Sequence, residues 1–94
     1  MSSPAEVVAG IAARAKRRRI DLGLTQRDLG ARAGVPYATV RQLETTGRVS
    51  LEALVRIAFV FQAEDGLDAL FPPRPLITID DVLDRPERQR VRKT

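Results

Sequence analysis

Cysteine, histidine and tryptophan are all missing from this chain of 94 residues. Without cysteine there is no disulfide framework and no thiolate chemistry, and without histidine the commonest general base and metal ligand is gone. No apolar run approaches the roughly 20 residues of a membrane span. The N-terminus lacks a basic segment followed by an apolar one, so no signal peptide is expected. We expect a cytoplasmic protein that is not an enzyme and needs no cofactor.

Aromatic residues are scarce, with three Phe and one Tyr in the chain. The core should therefore consist mainly of Val, Leu, Ile and Ala, and the hydrophobic content of 44% is enough for one small domain. Such a core gives marginal stability, which dimerisation would increase.

Charge is distributed unevenly. Residues 1–56 carry ten basic and five acidic groups, residues 57–87 carry two basic and seven acidic groups, and residues 88–94 carry four basic groups and no acidic one. The basic first half suits a polyanion such as nucleic acid. The acidic stretch is expected to face elsewhere, and the basic tail either adds solubility or follows phosphates.

Residues 24–44 contain the most informative pattern. Thr25 is a good helix N-cap, and Asp28 stands where a capping box needs an acceptor. Gly34 can end that helix in the left-handed conformation, and Pro36 suits the first turn of the next one. The segments on either side also combine N-cap residues with apolar residues at helical spacing. The sequence therefore predicts five helices, over about 4–22, 26–33, 36–44, 51–62 and 67–71.

The third predicted helix has two different sides. Val40 and Leu43 face inward, and the first helix similarly repeats apolar residues at helical spacing from Val7 through Ile11 to Ala15. The outer side of the third helix carries four candidates for contact with DNA bases: Tyr37, Ala38, Arg41 and Gln42. A helix pair joined by a glycine turn, with such an outer face, is how a helix-turn-helix reads DNA.

The chemistry of these four side chains suits base edges. Arg41 can pair with guanine or bind phosphate, Gln42 can pair with adenine, and Ala38 can contact a thymine methyl. Tyr37 either contacts DNA or supports the turn as a partly buried aromatic.

An ordered set of residues carries a family resemblance: Leu24-Thr25-Gln26, Leu29, Ala33-Gly34-Val35, Thr39-Val40, Gln42-Leu43-Glu44, Gly47, Ser50-Leu51-Glu52-Ala53-Leu54 and Ile57-Ala58. This set resembles the helix-turn-helix of the lambda-repressor-like (XRE or Cro-type) family, over roughly residues 10 to 62. The resemblance implies an all-α, five-helix DNA-binding domain over residues 1–71, acting as a homodimer on a palindromic operator in double-stranded DNA. Pro36 departs from the family, which usually has a Ser or Thr cap there.

Nine residues are predicted to contact phosphates of DNA: Arg17, Arg18, Arg19, Gln26, Arg27, Thr39, Thr45, Thr46 and Arg48. For Gln26 this role is implied by the family, in which a Gln at this place contacts a phosphate near the helix N-terminus. For the run 17–19 the alternative is an ordinary solvated helix face. For Thr39 two roles are open, packing within the domain and a phosphate contact. Glu44 is predicted to end its helix and to pair with a neighbouring Arg.

Residues 72–94 are predicted to form a C-terminal extension. Prolines at 72, 73 and 75 cannot continue a helix, so 75–77 is expected to be extended, followed by a helix from 79 to about 85 or, alternatively, a short strand that pairs across a dimer. In the family, the region of the fifth helix carries the dimer contact. Dimer or partner contacts are predicted at Leu67, Leu70, Phe71, Leu76, Ile77 and Ile79.

The leading interpretation is a sequence-specific, autoregulatory DNA-binding repressor. The Phe71-Pro72-Pro73 segment and the acidic-then-basic end resemble the organisation of antitoxins paired with HipA-type kinase toxins, which would make such a kinase a partner. Alternatives are a restriction–modification controller, a phage-type repressor, or an interaction module that has lost DNA binding. Asp80, Asp81 and Asp84 form the only tight carboxylate group, and helix capping explains them better than a metal.

Overall fold

The computed structural model describes residues 2–74, and this part of the chain is built from helices without strands. The helices are α1 Pro4–Asp21, α2 Gln26–Ala33, α3 Tyr37–Thr46, α4 Leu51–Val60 and α5 Glu64–Asp68. The all-α, five-helix prediction is confirmed. The predicted extended segment and helix over 75–85, with Leu76, Ile77 and Ile79, lie outside the described residues.

The position of α5 is a correction, because this helix starts and ends three residues before the predicted 67–71. Glu64 and Asp65 occupy its first turn, where carboxylates interact favourably with the exposed N–H groups. Phe71, the predicted last residue, has a φ of 58°, which is outside the right-handed helical region.

Side-chain caps define the starts of three helices, as the sequence predicts. The Glu6 N–H donates to Ser3 Oγ at 3.1 Å, and the Asp28 N–H donates to Thr25 Oγ1 at 3.0 Å. The Ala53 N–H donates to the Ser50 hydroxyl at 3.0 Å. Pro36 precedes α3 without any side-chain cap hydrogen bond, so the predicted loss of a cap there is confirmed.

The core lies where α2, α3 and α4 meet against the second half of α1. Leu29, Val40, Leu43 and Ile57 are almost completely buried, and Phe61 closes one end. Each such side chain contributes about 1.5–3 kcal/mol through removal of apolar surface from water. This core fixes the inner side of α3 and leaves the opposite side at the surface.

The apolar face of α1 is covered along only half of its length. Ala12 and Ala15 are buried, but Val7, Val8 and Ile11 remain 49%, 41% and 36% exposed. The sequence therefore identified the apolar face correctly, although within residues 2–74 its first half is only partly covered, at Val8 by the close approach of Gly47. Among these residues, no helix has both the length and the apolar character required to cross a membrane.

Gly30 allows α2 and the start of α3 to come close together. A Cβ atom at this position would lie 2.9 Å from the Val35 carbonyl oxygen and 3.4 Å from the Tyr37 nitrogen. The Gly30 carbonyl also accepts the N–H of Val35 at 3.0 Å and that of Gly34, whose φ of 72° ends α2. The angle between the two helices thus depends on the missing side chain.

We expect Gly30→Ala to lower the free energy of unfolding by about 1–2 kcal/mol, because overpacking against backbone outweighs the helix propensity gained. Gly10→Ala is the matched control, since its Cβ would meet only the flexible end of Arg14, at 3.1 Å. That control should be stabilised by about 0.5–1 kcal/mol. Urea denaturation followed by circular dichroism measures both, and similar effects of the two substitutions would contradict the close-packing account.

Candidate nucleic-acid interface

The outer side of α3 presents three of the four predicted base-contacting residues together. Ala38, Arg41 and Gln42 are exposed and stand three and four positions apart, so they lie on one side of the helix. Tyr37 is half-buried at the first position of α3. Since Val40 and Leu43 are buried on the other side, α3 is an amphipathic helix with a polar, basic outer surface.

An ion pair with little exposure to solvent joins α3 to α1. Arg19 Nε donates to Glu44 Oε2 at 2.7 Å and Arg19 Nη2 donates to Glu44 Oε1 at 3.1 Å. The two side chains are 12% and 2% exposed, respectively. Arg19 Nη1 also donates to the Leu24 carbonyl at 2.8 Å, and Gln26 Nε2 donates to Glu44 Oε1 at 3.0 Å. The predicted pairing of Glu44 with a neighbouring Arg is confirmed.

The surroundings of Glu44 favour its ionised form. Burial by itself would raise the pKa of this carboxyl, but hydrogen bonds from Arg19 and Gln26, with the charges of Arg19 and Lys16, outweigh burial and hold the pKa below its ordinary value. The hydrogen bond to Glu44 likewise raises the pKa of Arg19. Both groups therefore stay charged across the physiological range.

Arg19 and Gln26, both predicted to contact phosphate, form hydrogen bonds within the protein. Each of the three guanidinium nitrogens of Arg19 donates to Glu44 or to the Leu24 carbonyl, and the Gln26 amide donates to Glu44. Both side chains thus support α3 from α1 and α2, and their phosphate contacts stay predictions.

Thr45 and Thr46 direct their hydroxyl groups at their own helix. Thr45 Oγ1 donates to the Arg41 carbonyl at 2.8 Å, and Thr46 Oγ1 donates to the Gln42 carbonyl at 3.0 Å. The Thr46 hydroxyl also accepts the Arg48 N–H at 3.1 Å. These contacts close the C-terminal end of α3, and phosphate contacts by the two threonines stay predictions that require their hydroxyls to rotate.

Arg27 and Tyr37 form a contact that joins the two helices of the turn. The Arg27 guanidinium carbon lies 4.3 Å from the centre of the Tyr37 ring. A cation–π contact of this kind at an exposed site contributes about 0.5–1 kcal/mol. Tyr37 therefore supports the turn, which was one of its two predicted roles, while its contact with DNA stays a prediction.

An open depression between the starts of α3 and α4 brings predicted residues together with one that the sequence analysis missed. Ala38, Thr39, Gln42 and Arg48 line it, and so does Arg56 of α4. Arg56 is exposed and pairs with Glu52 at 3.0 Å. The sequence signal for Arg56 was a basic residue four positions after Glu52 in a largely apolar helix.

The remaining arginines of the α1 run lie apart from this depression. Arg17 pairs with Asp21 on the surface at 3.1 Å. Arg18 Nη1 donates to the Phe61 carbonyl at 2.9 Å, at the end of α4. Their predicted phosphate contacts stay predictions, and their present neighbours are not on α3.

Comparison with known proteins agrees with this geometry. A protein-family model described as helix-turn-helix matches residues 16–63, which is just over half of the chain. The matched residues include the whole of α2, α3 and α4 and the end of α1 that carries Arg19. None of the curated proteins searched matches the chain.

Glu44→Gln should lower the free energy of unfolding at neutral pH by about 2 kcal/mol, because it weakens charged hydrogen bonds and leaves Arg19 without a counter-ion. The folded-state pKa of Glu44 is depressed. The difference in free energy of unfolding between the wild type and Glu44→Gln is therefore fully present above the ordinary glutamate pKa of about 4.3, and it is lost as pH falls through the lower folded-state pKa. Urea denaturation across the neutral and acid range measures the difference.

Glu52→Gln is the control, since its ion pair with Arg56 is exposed and should be worth less than about 0.5 kcal/mol. Equal effects of the two substitutions, or a Glu44→Gln effect that does not decline on acidification, would contradict a structural role of the buried pair.

Proposed function

The chain belongs to the lambda-repressor-like helix-turn-helix family and is thus a DNA-binding transcription regulator; we propose that it is a sequence-specific repressor that acts as a homodimer. The observation that carries this proposal is the exposed outer side of α3, with Ala38, Arg41 and Gln42 on a helix held from behind by a buried ion pair. A major groove accepts one α-helix, and these side chains would meet its base edges.

Each of the four predicted base-contacting residues would have a chemically matched target. Gln42 offers a donor and an acceptor to adenine, and Arg41 offers a forked donor to guanine or to a phosphate. Ala38 offers a methyl group to thymine. Tyr37 would contact DNA with the ring edge and hydroxyl that Arg27 leaves free. These contacts would supply sequence discrimination.

Phosphate contacts would supply most of the affinity and its dependence on salt. Arg27 and Arg48 are exposed on either side of α3, and Arg56 and Thr39 line the depression between α3 and α4. Arg56 is thus our addition to the predicted phosphate contacts.

A homodimer would place two α3 helices in successive major grooves, about 34 Å apart on a palindromic operator. Leu70 and Phe71 are 54% and 88% exposed just after α5, and Leu67 is half-buried beside them. Burial of these apolar groups between two copies would stabilise the dimer. An operator next to its own coding sequence would make the repressor autoregulatory.

A second candidate function is that of an antitoxin for a HipA-like kinase toxin. The highly exposed Phe71, followed in the sequence by Pro72 and Pro73 and then by acidic residues, favours it, because an apolar and acidic segment is unsuited to DNA. The same protein would then bind DNA through α3 and the kinase through its C-terminal part.

Fluorescence anisotropy of the full chain with its own upstream DNA and with a scrambled duplex, at low and high salt, tests the main proposal. We expect tighter binding to its own upstream DNA that persists at the higher salt, and sedimentation should give two chains per duplex. Equal and salt-sensitive binding to both duplexes would contradict a specific repressor and would favour a function in partner binding.

Two kinds of substitution should separate discrimination between DNA sequences from general affinity for DNA. Gln42→Ala and Arg41→Ala should each reduce the preference for the operator by about 1–3 kcal/mol, because a base contact is lost. Arg48→Ala and Arg17→Ala should weaken binding to all sequences alike and lower the salt slope by about one. If Gln42→Ala weakened specific and non-specific binding equally, Gln42 would not be a base-reading residue.

A further inference from the structure

An apolar groove of about 440 Å³ lies between α1, α4 and α5, away from the proposed DNA-reading side of α3. Buried residues such as Leu43 and Ile57 form its floor, and the partly exposed side chains of Ile11, Leu54 and Leu67 line its edges. The proposed contacts with DNA use none of these residues. A groove of this size is within the range that accommodates a few apolar side chains of a ligand.

The apolar surface continues beyond the groove along α1. Val7 lies one helical turn before Ile11, and Val8 is also exposed. Exposed apolar side chains at three nearby positions of one helix, next to an open apolar groove, are typical of a surface that another segment covers.

The charges at the groove indicate what kind of segment would fit. Arg14, Arg17 and Arg18 line the groove together with Asp21, which pairs with Arg17. Arg14 and Arg18, four positions apart on α1, form no ion pair with a carboxylate within residues 2–74. Arg18 instead donates to the Phe61 carbonyl and lies 5.9 Å from the centre of the Phe61 ring. A segment with an apolar side and neighbouring carboxylates would complement both the groove and its arginines.

We propose that residues 76–84 of the same chain dock in this groove. Their sequence, LITIDDVLD, places Leu76, Ile79 and Leu83 at the spacing of one helical face, and Val82 is adjacent to it. Asp80 and Asp84 fall next to this face in the same register, whereas Asp81 falls on the opposite side. The segment thus combines the apolar anchors and the charge that the groove requires.

The length of the chain permits this contact within one molecule. Leu67 lines the groove, and Leu76 follows nine residues later, a distance that an extended chain can span over about 30 Å. A short tether raises the effective concentration of the segment at the groove to the millimolar range, which favours docking within the chain over docking from a second copy. Leu76 and Ile79 would then cover their own domain instead of forming the dimer.

Docking needs no DNA, so the test uses the free full-length protein. Methyl NMR signals of Ile11, Leu54 and Leu67 report on the groove, and those of Leu29 and Val40 report on the core as a check of folding. Ile79→Asp should shift the three groove signals and leave the core signals in place. Ile77→Asp is the matched control, because position 77 is on the other side of the helical register, and it should leave all five signals unchanged.

A second pair of variants tests the charge contribution. Arg14→Gln should shift the groove signals toward the positions found for Ile79→Asp, whereas Arg32→Gln, an exposed arginine of α2 away from the groove, should not. Groove signals that respond to neither Ile79→Asp nor Arg14→Gln, or that respond equally to Ile79→Asp and Ile77→Asp, would overturn the proposal. Wild-type Ile11 and Leu54 signals that move on dilution would assign the groove to a second copy and would also overturn it, whereas a dilution shift of Leu67 alone would report the proposed dimer contact.

Discussion

The geometry of α3, the helix proposed to read DNA, depends on one charged contact, the Arg19–Glu44 pair. Removing both groups from water is unfavourable, and only their mutual hydrogen bonds, with those to Gln26 and the Leu24 carbonyl, offset that cost. Such a pair need not add much net stability. It does penalise any arrangement in which α1 and α3 separate, because a buried charge would then lose its partner. Arg41 and Gln42 lie within one turn of Glu44, so their position relative to the rest of the domain follows from this contact.

Local sequence rules predicted α1 to α4 well because their signals are local. The caps at Ser3, Thr25 and Ser50 join residues only three positions apart, and a glycine ends α2. For α5 the competing signals were weaker: apolar residues at 67, 70 and 71 suggested a helix, whereas the acidic first turn at 64 and 65 decided where it starts.

The roles of Arg19 and Gln26 could not be predicted by the same rules, because their contacts with Glu44 span 25 and 18 residues. One signal for Arg19 was nevertheless present. It lies four positions after Ala15, which itself follows Ala12 by three, so Arg19 continues the buried side of α1. A charged residue on a buried stripe needs a partner, and Glu44 was the residue already expected to form an ion pair. The Arg27–Tyr37 contact offered no such signal, since it depends on how close α2 and α3 approach at Gly30.

Helix geometry also bears on the prediction that the basic run of α1 forms a phosphate-binding surface. Neighbouring residues on a helix point about 100° apart, so a run of arginines cannot form one surface. Arg14, Arg17 and Arg18 line the apolar groove, where Arg17 pairs with Asp21, whereas Arg19 is directed at Glu44. The run that looked most like a phosphate-binding surface in the sequence is thus divided between two environments. We therefore propose that most phosphate contacts come from basic residues near α3, and that Arg14 and Arg18 remain available to an acidic segment.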